Sequence, residues 1–176
     1  MTEEDNIKPD VCRWKPPKDG NIVINVDAAV DEQGKCSSSV GIIRDHTDKV
    51  VHSFTSFMSH SVSLMIAELR AIKDGFLWAR RLNMNHFTLC LDYLNDVNKV
   101  NLISSFGGDL EFLINDIRKA MITTKCRGVF FVPRTCIRVA HCLAKQALVV
   151  KAFYFWDGGY PPVAVSALEL ASVRYL

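Results

Sequence analysis

Ile22-Val23-Ile24-Asn25-Val26-Asp27-Ala28 is apolar at nearly every position and rich in β-branched residues. That pattern predicts a central strand covered on both faces. Side chains alternate along a strand, so Asn25 and Asp27 share one face with Val23. A carboxylate near the end of such a strand is costly to bury unless it is paired or metal-bound. Asp27 is therefore a candidate functional residue.

A second stretch repeats the logic. His86-Phe87-Thr88-Leu89-Cys90-Leu91-Asp92 reads as a strand closed by a short acid. Between the two lie strands expected over Ser39 to Arg44 and Val50 to Met58, separated by the polar turn Asp45 to Lys49. A long helix is expected from about Ser63 to Leu82, because Met65, Leu69, Ile72, Phe76 and Ala79 recur at three- and four-residue steps. Glu68 falls on the edge of that stripe, where a glutamate is ordinarily solvated.

Downstream, the pattern predicts a short helix around Asn95 to Ile103 and an amphipathic helix from about Asp109 to Ile122. Leu110, Leu113, Ile114 and Ile117 should face inward on the latter. Val129 to Val132 reads as a buried strand stopped by Pro133, and Cys136 to Val150 as a final helix. The expected organisation is a flexible leader over residues 1–20, one α/β domain over 21–156 and a tail over 157–176. The domain's sheet should be mixed and five-stranded, three antiparallel strands followed by two parallel ones, flanked by helices.

Bulk composition is permissive. With 176 residues, 49% of them hydrophobic, the chain can bury a core without disulfides or structural metal. A formal charge of +2 does not announce a nucleic-acid binder, although Arg127, Arg134, Arg138 and Lys145 gather in the last third. The six cysteines include no C-x-x-C pair, and Cys136, His141 and Cys142 match no standard zinc spacing. The opening Met1-Thr2-Glu3-Glu4-Asp5 lacks a secretory pattern, and no apolar run reaches the ~18 residues that cross a bilayer. Reduced thiols in an intracellular protein, nuclear or cytoplasmic, are the expectation.

Five segments in order carry a family resemblance. Trp14-Lys15-Pro16-Pro17 with Gly20 resembles a W-x-P-P-x-x-G entrance, and Asn25-Val26-Asp27-Ala28-Ala29 an N-V-D-G/A-A first strand. Val40 to Asp45 resembles a glycine segment ending in Arg-Asp. Ala67-Glu68-Leu69-Arg70-Ala71 with Gly75 resembles an A-E-x-x-A-L-x-x-G helix, and Ala140 to Lys145 an A-D/H-x-L-A-K helix. Together they resemble the plant RNase H-like family, whose members are similar to the RNase H domains of plant retroelements. The resemblance covers about Trp14 to Trp156 and implies the RNase H-like fold.

It also implies an activity: metal-dependent endonucleolytic cleavage of RNA in RNA–DNA hybrids. Hydrolysis of a phosphodiester with two divalent ions needs hard oxygen ligands from separate elements. By resemblance Asp27, Glu68 and Asp92 are catalytic metal ligands for Mg2+ (or Mn2+), two ions in an active enzyme. His141 stands at the family's fourth acid and completes the catalytic set. Arg134 and Arg138 are candidates for backbone phosphates of the hybrid, and a monomer is expected. Related exonucleases carry Asp-x-Glu on the first strand, where Ala28 and Ala29 follow Asp27 here; integrase-type relatives place the glutamate last.

The chain departs from the family at several positions. Cys90 and Tyr93 flank Asp92 where an acid and a serine are usual, Ile137 replaces an asparagine, and Lys49 replaces a turn glycine. The alternative reading is therefore an RNase H fold kept as a nucleic-acid-binding or protein-interaction module with little catalysis.

Overall fold

The structure is a computed structural model describing residues 17–159, apart from 19 and 103–105, together with Pro161. The Trp14-Lys15-Pro16 entrance and most of the leader and tail lie outside the described residues. The elements are β1 (Ile22–Val30), β2 (Ser37–Arg44), β3 (Val50–Met58), α1 (Leu64–Arg81), β4 (Phe87–Leu91), α2 (Leu94–Asn101), α3 (Gly108–Thr123), β5 (Val129–Phe131), α4 (Arg138–Val150) and β6 (Tyr154–Asp157). One 3-10 turn, Arg134–Cys136, separates β5 from α4.

The sheet is six-stranded in the order β5-β4-β1-β2-β3-β6. The first three strands form an antiparallel meander, and β4 and β5 add in parallel. The expected five strands thus need correcting to six. Tyr154 to Asp157 pairs antiparallel with Thr55 to His52 on the open edge of β3. Phe155 stacks on Trp78 at a ring separation of 4.2 Å, and that contact anchors the added strand to α1.

Two unequal cores flank the sheet. On one face Ile24, Val26 and Ala28 of β1 meet Leu69, Ile72 and Phe76 of α1 and Ile114 and Ile117 of α3. On the other, Ala29, Val40 and Ile42 meet Ala140, Leu143, Ala144 and Ala147 of α4. Two glycines make close approaches possible. A Cβ on Gly75 would lie 2.8 Å from Leu89, and one on Gly41 only 2.2 Å from the Phe54 ring.

α1 starts at Ser63, whose hydroxyl accepts the Ile66 N–H. Arg80 and Arg81 end it, favourably placed at the negative end of the helix dipole. Two other expectations change. β5 buries only Val129, because it is the outer strand of the sheet and leaves Phe130 and Phe131 exposed. The final helix begins at Arg138, since Arg134 to Cys136 first makes the 3-10 turn. Among the described residues no helix is long and apolar enough to cross a membrane.

Candidate metal centre

The parallel register of β1 and β4 ends at Asn25 opposite Cys90. Carried on two residues, it brings Asp27 level with Asp92, on neighbouring strands about 4.8 Å apart. Glu68 comes from the second turn of α1. Its neighbours Ala67 and Leu69 are buried, and so is Glu68 itself at 2% exposure. The glutamate that helical position alone would leave in solvent is thus carried into the interior by its packed flanks. One ligand atom from each of Asp27, Glu68 and Asp92 lies within 4.8 Å of the others. It is the only such group among the described residues.

Each aspartate divides its two oxygens. Asp27 Oδ2 meets His141 Nδ1 at 2.8 Å, and Asp92 Oδ2 accepts Arg134 Nε–H at 2.5 Å. The remaining oxygens, Asp27 Oδ1 and Asp92 Oδ1, are buried with no hydrogen-bond partner, as is Glu68 Oε2. Burial, then the charges of Asp27 and Asp92, push the Glu68 carboxyl up to about 10. Unpartnered, mutually repelling carboxylate oxygens converging on one point are what a hard divalent cation stabilises. The donor set fits magnesium or manganese.

His141, Arg134 and Asp96 touch or act on these acids, and Arg138 lies three residues before His141. His141 projects from the first turn of α4, with its side chain 20% exposed. Arg134 sits on the 3-10 turn, 60% exposed, and its ion pair with Asp92 raises its guanidinium further above the usual range. Arg138 opens α4. Asp96, which the sequence pattern did not single out, is fully buried in the first turn of α2; neither oxygen is hydrogen-bonded, and Lys99 Nζ lies 3.9 Å from Oδ1. Burial pushes it up to about 7, with Lys99 opposing, and its charge reaches Glu68. The available signal was an acid four residues after Asp92, in the first turn of the helix that follows the strand.

Residues 25–147 match the pattern of the reverse transcriptase-like family. The chain belongs to that family. The matched span of this reverse transcriptase-like domain includes all three clustered carboxylates, both arginines and His141. No curated protein matches the sequence. Among solved structures, the RNase H1 of the halophilic archaeon Halobacterium salinarum is similar at 16% identity and a TM-score of 0.68, over 76% of this chain and 100% of that one. The N-terminal RNase H domain of a Mycobacterium tuberculosis protein matches at 16% identity and 0.64, over 74% and 94%. A compost-derived RNase H1 in complex with an RNA/DNA hybrid matches at 15% and 0.62, over 74% and 98%. At these identities the likeness establishes the RNase H-like α/β fold.

Proposed function

We propose that this domain is a divalent-metal-dependent endonuclease that hydrolyses the RNA strand of RNA–DNA hybrids, of the plant retroelement type on the motifs of its sequence. The observation that carries this reading is the convergence of Asp27, Glu68 and Asp92 with three buried, unpartnered oxygens. The fold likeness to a protein seen with an RNA/DNA hybrid supports the substrate class.

Asp27, Glu68 and Asp92 would hold the ions. Bound Mg2+ or Mn2+ would supply charge for the developing phosphorane and acidify an attacking water. The rest is the work of this chain's side chains. Asp27, accepting at Nδ1 of His141, orients the imidazole and leaves Nε2 as the atom able to take or return a proton. Arg134, half outside the protein, can leave Asp92 for a phosphate oxygen. Arg138, at the start of α4 four residues on, extends the same basic edge. Backbone phosphates and 2′-hydroxyls, rather than base edges, would then be recognised.

A second reading has specific support. His141 contributes no negative charge at the fourth acid position, and Arg134 already neutralises Asp92. Both features weaken attraction for a second cation, which favours a binding module with little catalysis. One experiment separates the two. A hybrid labelled on its RNA strand is incubated with the protein in magnesium and then in manganese. Internal cleavage supports the nuclease; an intact RNA strand at enzyme in excess, with the hybrid still bound, supports the module.

A further inference from the structure

α1 and the β2–β3 hairpin enclose a cavity of about 260 Å³, lined among others by Ser37, Ser39, Ser56, Arg70, Lys73 and Asp74. It lies on the α1 face of the sheet. Ser39 Oγ donates across it to Asp74 Oδ2 at 2.5 Å, whereas Ser38, pointing the other way, donates to the Ala144 carbonyl of α4. The cavity is thus separate from the contact between His141 and Asp27.

Among the described residues, two of its hydroxyls have no acceptor or donor in the protein, and its guanidinium has no carboxylate. Ser37 is 2% exposed, yet neither its hydroxyl nor that of Ser56 makes a hydrogen bond within the described residues. Ser56 is half-buried and neither hydroxyl is sealed from solvent, so both are open to a partner that enters the cavity. Arg70 Nη1 touches Met58 Sδ at 3.1 Å and His60 Nε2 at 3.0 Å, and among the described residues no carboxylate lies in ion-pair range of it. Lys73 is held at the rim by Asp116 at 2.7 Å. Asp74 is the one acid on the wall. Its burial raises it, and its Oδ2 is already occupied by Ser39.

We infer that this cavity is a phosphate-binding site, in which Arg70 meets the anion and Ser37 and Ser56 donate to its oxygens. A guanidinium with hydroxyl donors matches a tetrahedral oxyanion, and a cation would find only one acid against two bases. The site adjoins the metal centre on two elements: Ala67 lines it beside Glu68, and Ser39 pairs with Ala28 beside Asp27. A backbone phosphate of a nucleic acid or a free phosphate ester shares the required chemistry. The inference holds whether or not the domain cleaves a hybrid.

The test is amide NMR of the full chain in EDTA, titrated separately with inorganic phosphate, a 5′-mononucleotide and a short single-stranded DNA. Saturable shifts at Ser37, Ser39, Ser56 and Arg70 are expected. Tightest saturation by the oligonucleotide identifies a backbone phosphate, and by the mononucleotide a free ester; equal saturation by all three identifies phosphate itself. Arg70→Gln should weaken binding about tenfold, the loss of one charge-assisted hydrogen bond, and Asp74→Asn should tighten it. Absence of shifts with all three probes, shifts confined to other residues, or unchanged affinity in both variants would overturn the assignment.

Discussion

Asp27 carries two duties: its Oδ2 meets His141, and a carboxylate oxygen of it lies within 4.8 Å of ligand atoms of Glu68 and Asp92. Asp27→Asn keeps the shape but removes the charge, so hybrid cleavage in either metal should fall at least about 100-fold, as for loss of a group that stabilises charge in the transition state. A labelled-RNA assay reads this, and retained activity would point to another site. His141→Asp places a carboxylate where the imidazole now meets Asp27 and should raise magnesium affinity; calorimetry showing an unchanged or weaker affinity would contradict the missing-acid argument. Asp96 makes a different prediction. Its carboxyl is raised to about 7 in the folded chain, against about 3.9 when unfolded. The folded state therefore holds the extra proton, and this stabilisation is complete below pH ~4 and fades as pH rises through about 7. Asp96→Asn should flatten that window, removing up to about 4 kcal/mol of the stability difference between its ends; urea midpoints at acid and neutral pH measure it. At this scale Asp27 and Asp92 were legible as acids closing apolar strands. Glu68 was legible only through its motif resemblance, because its helical position on the edge of the apolar stripe leaves burial and solvation equally open. Nor does spacing along the chain show that Arg134 pairs with Asp92 across 42 residues.

Elements were legible where periodicity was strong. β1, β4 and α1 follow from apolar runs and three- and four-residue steps, and α1 starts at the Ser63 cap within a residue of expectation. β6 escaped because Phe153-Tyr154-Phe155-Trp156 is aromatic throughout, with no alternation to mark a strand. Its pairing is a long-range choice made by the open edge of β3 and the Trp78 ring. β5 misled in the opposite sense: Val129-Phe130-Phe131-Val132 reads as interior, yet an edge strand leaves both phenylalanines exposed. Element packing also sets the sharpest stability prediction. Gly41→Ala would push a methyl into the fully buried Phe54 ring, 2.2 Å from its nearest atom. Overpacking of this kind should cost about 1–3 kcal/mol, read as a lower urea midpoint. A variant as stable as the parent would mean the β2–β3 packing is looser than described.

On the scale of the molecule, the fold spends stability to assemble its acids. Three carboxylates from β1, α1 and the end of β4 converge within 4.8 Å, the buried Asp96 of α2 adds its charge, and Glu68 is pushed up to about 10. Any cation that binds only the folded form stabilises it in proportion to the logarithm of its excess over Kd. The domain's unfolding midpoint should therefore rise with added magnesium or manganese, while EDTA leaves the apo protein folded, since its cores are independent of metal. The measurement that bears most directly on the metal centre is the number of Mn2+ ions bound, followed by electron paramagnetic resonance in the parent chain and in Asp27→Asn. Saturable binding of one or two ions, lost in the variant, is the predicted result. Binding that is absent in the parent, or unchanged when Asp27 loses its charge, would contradict it.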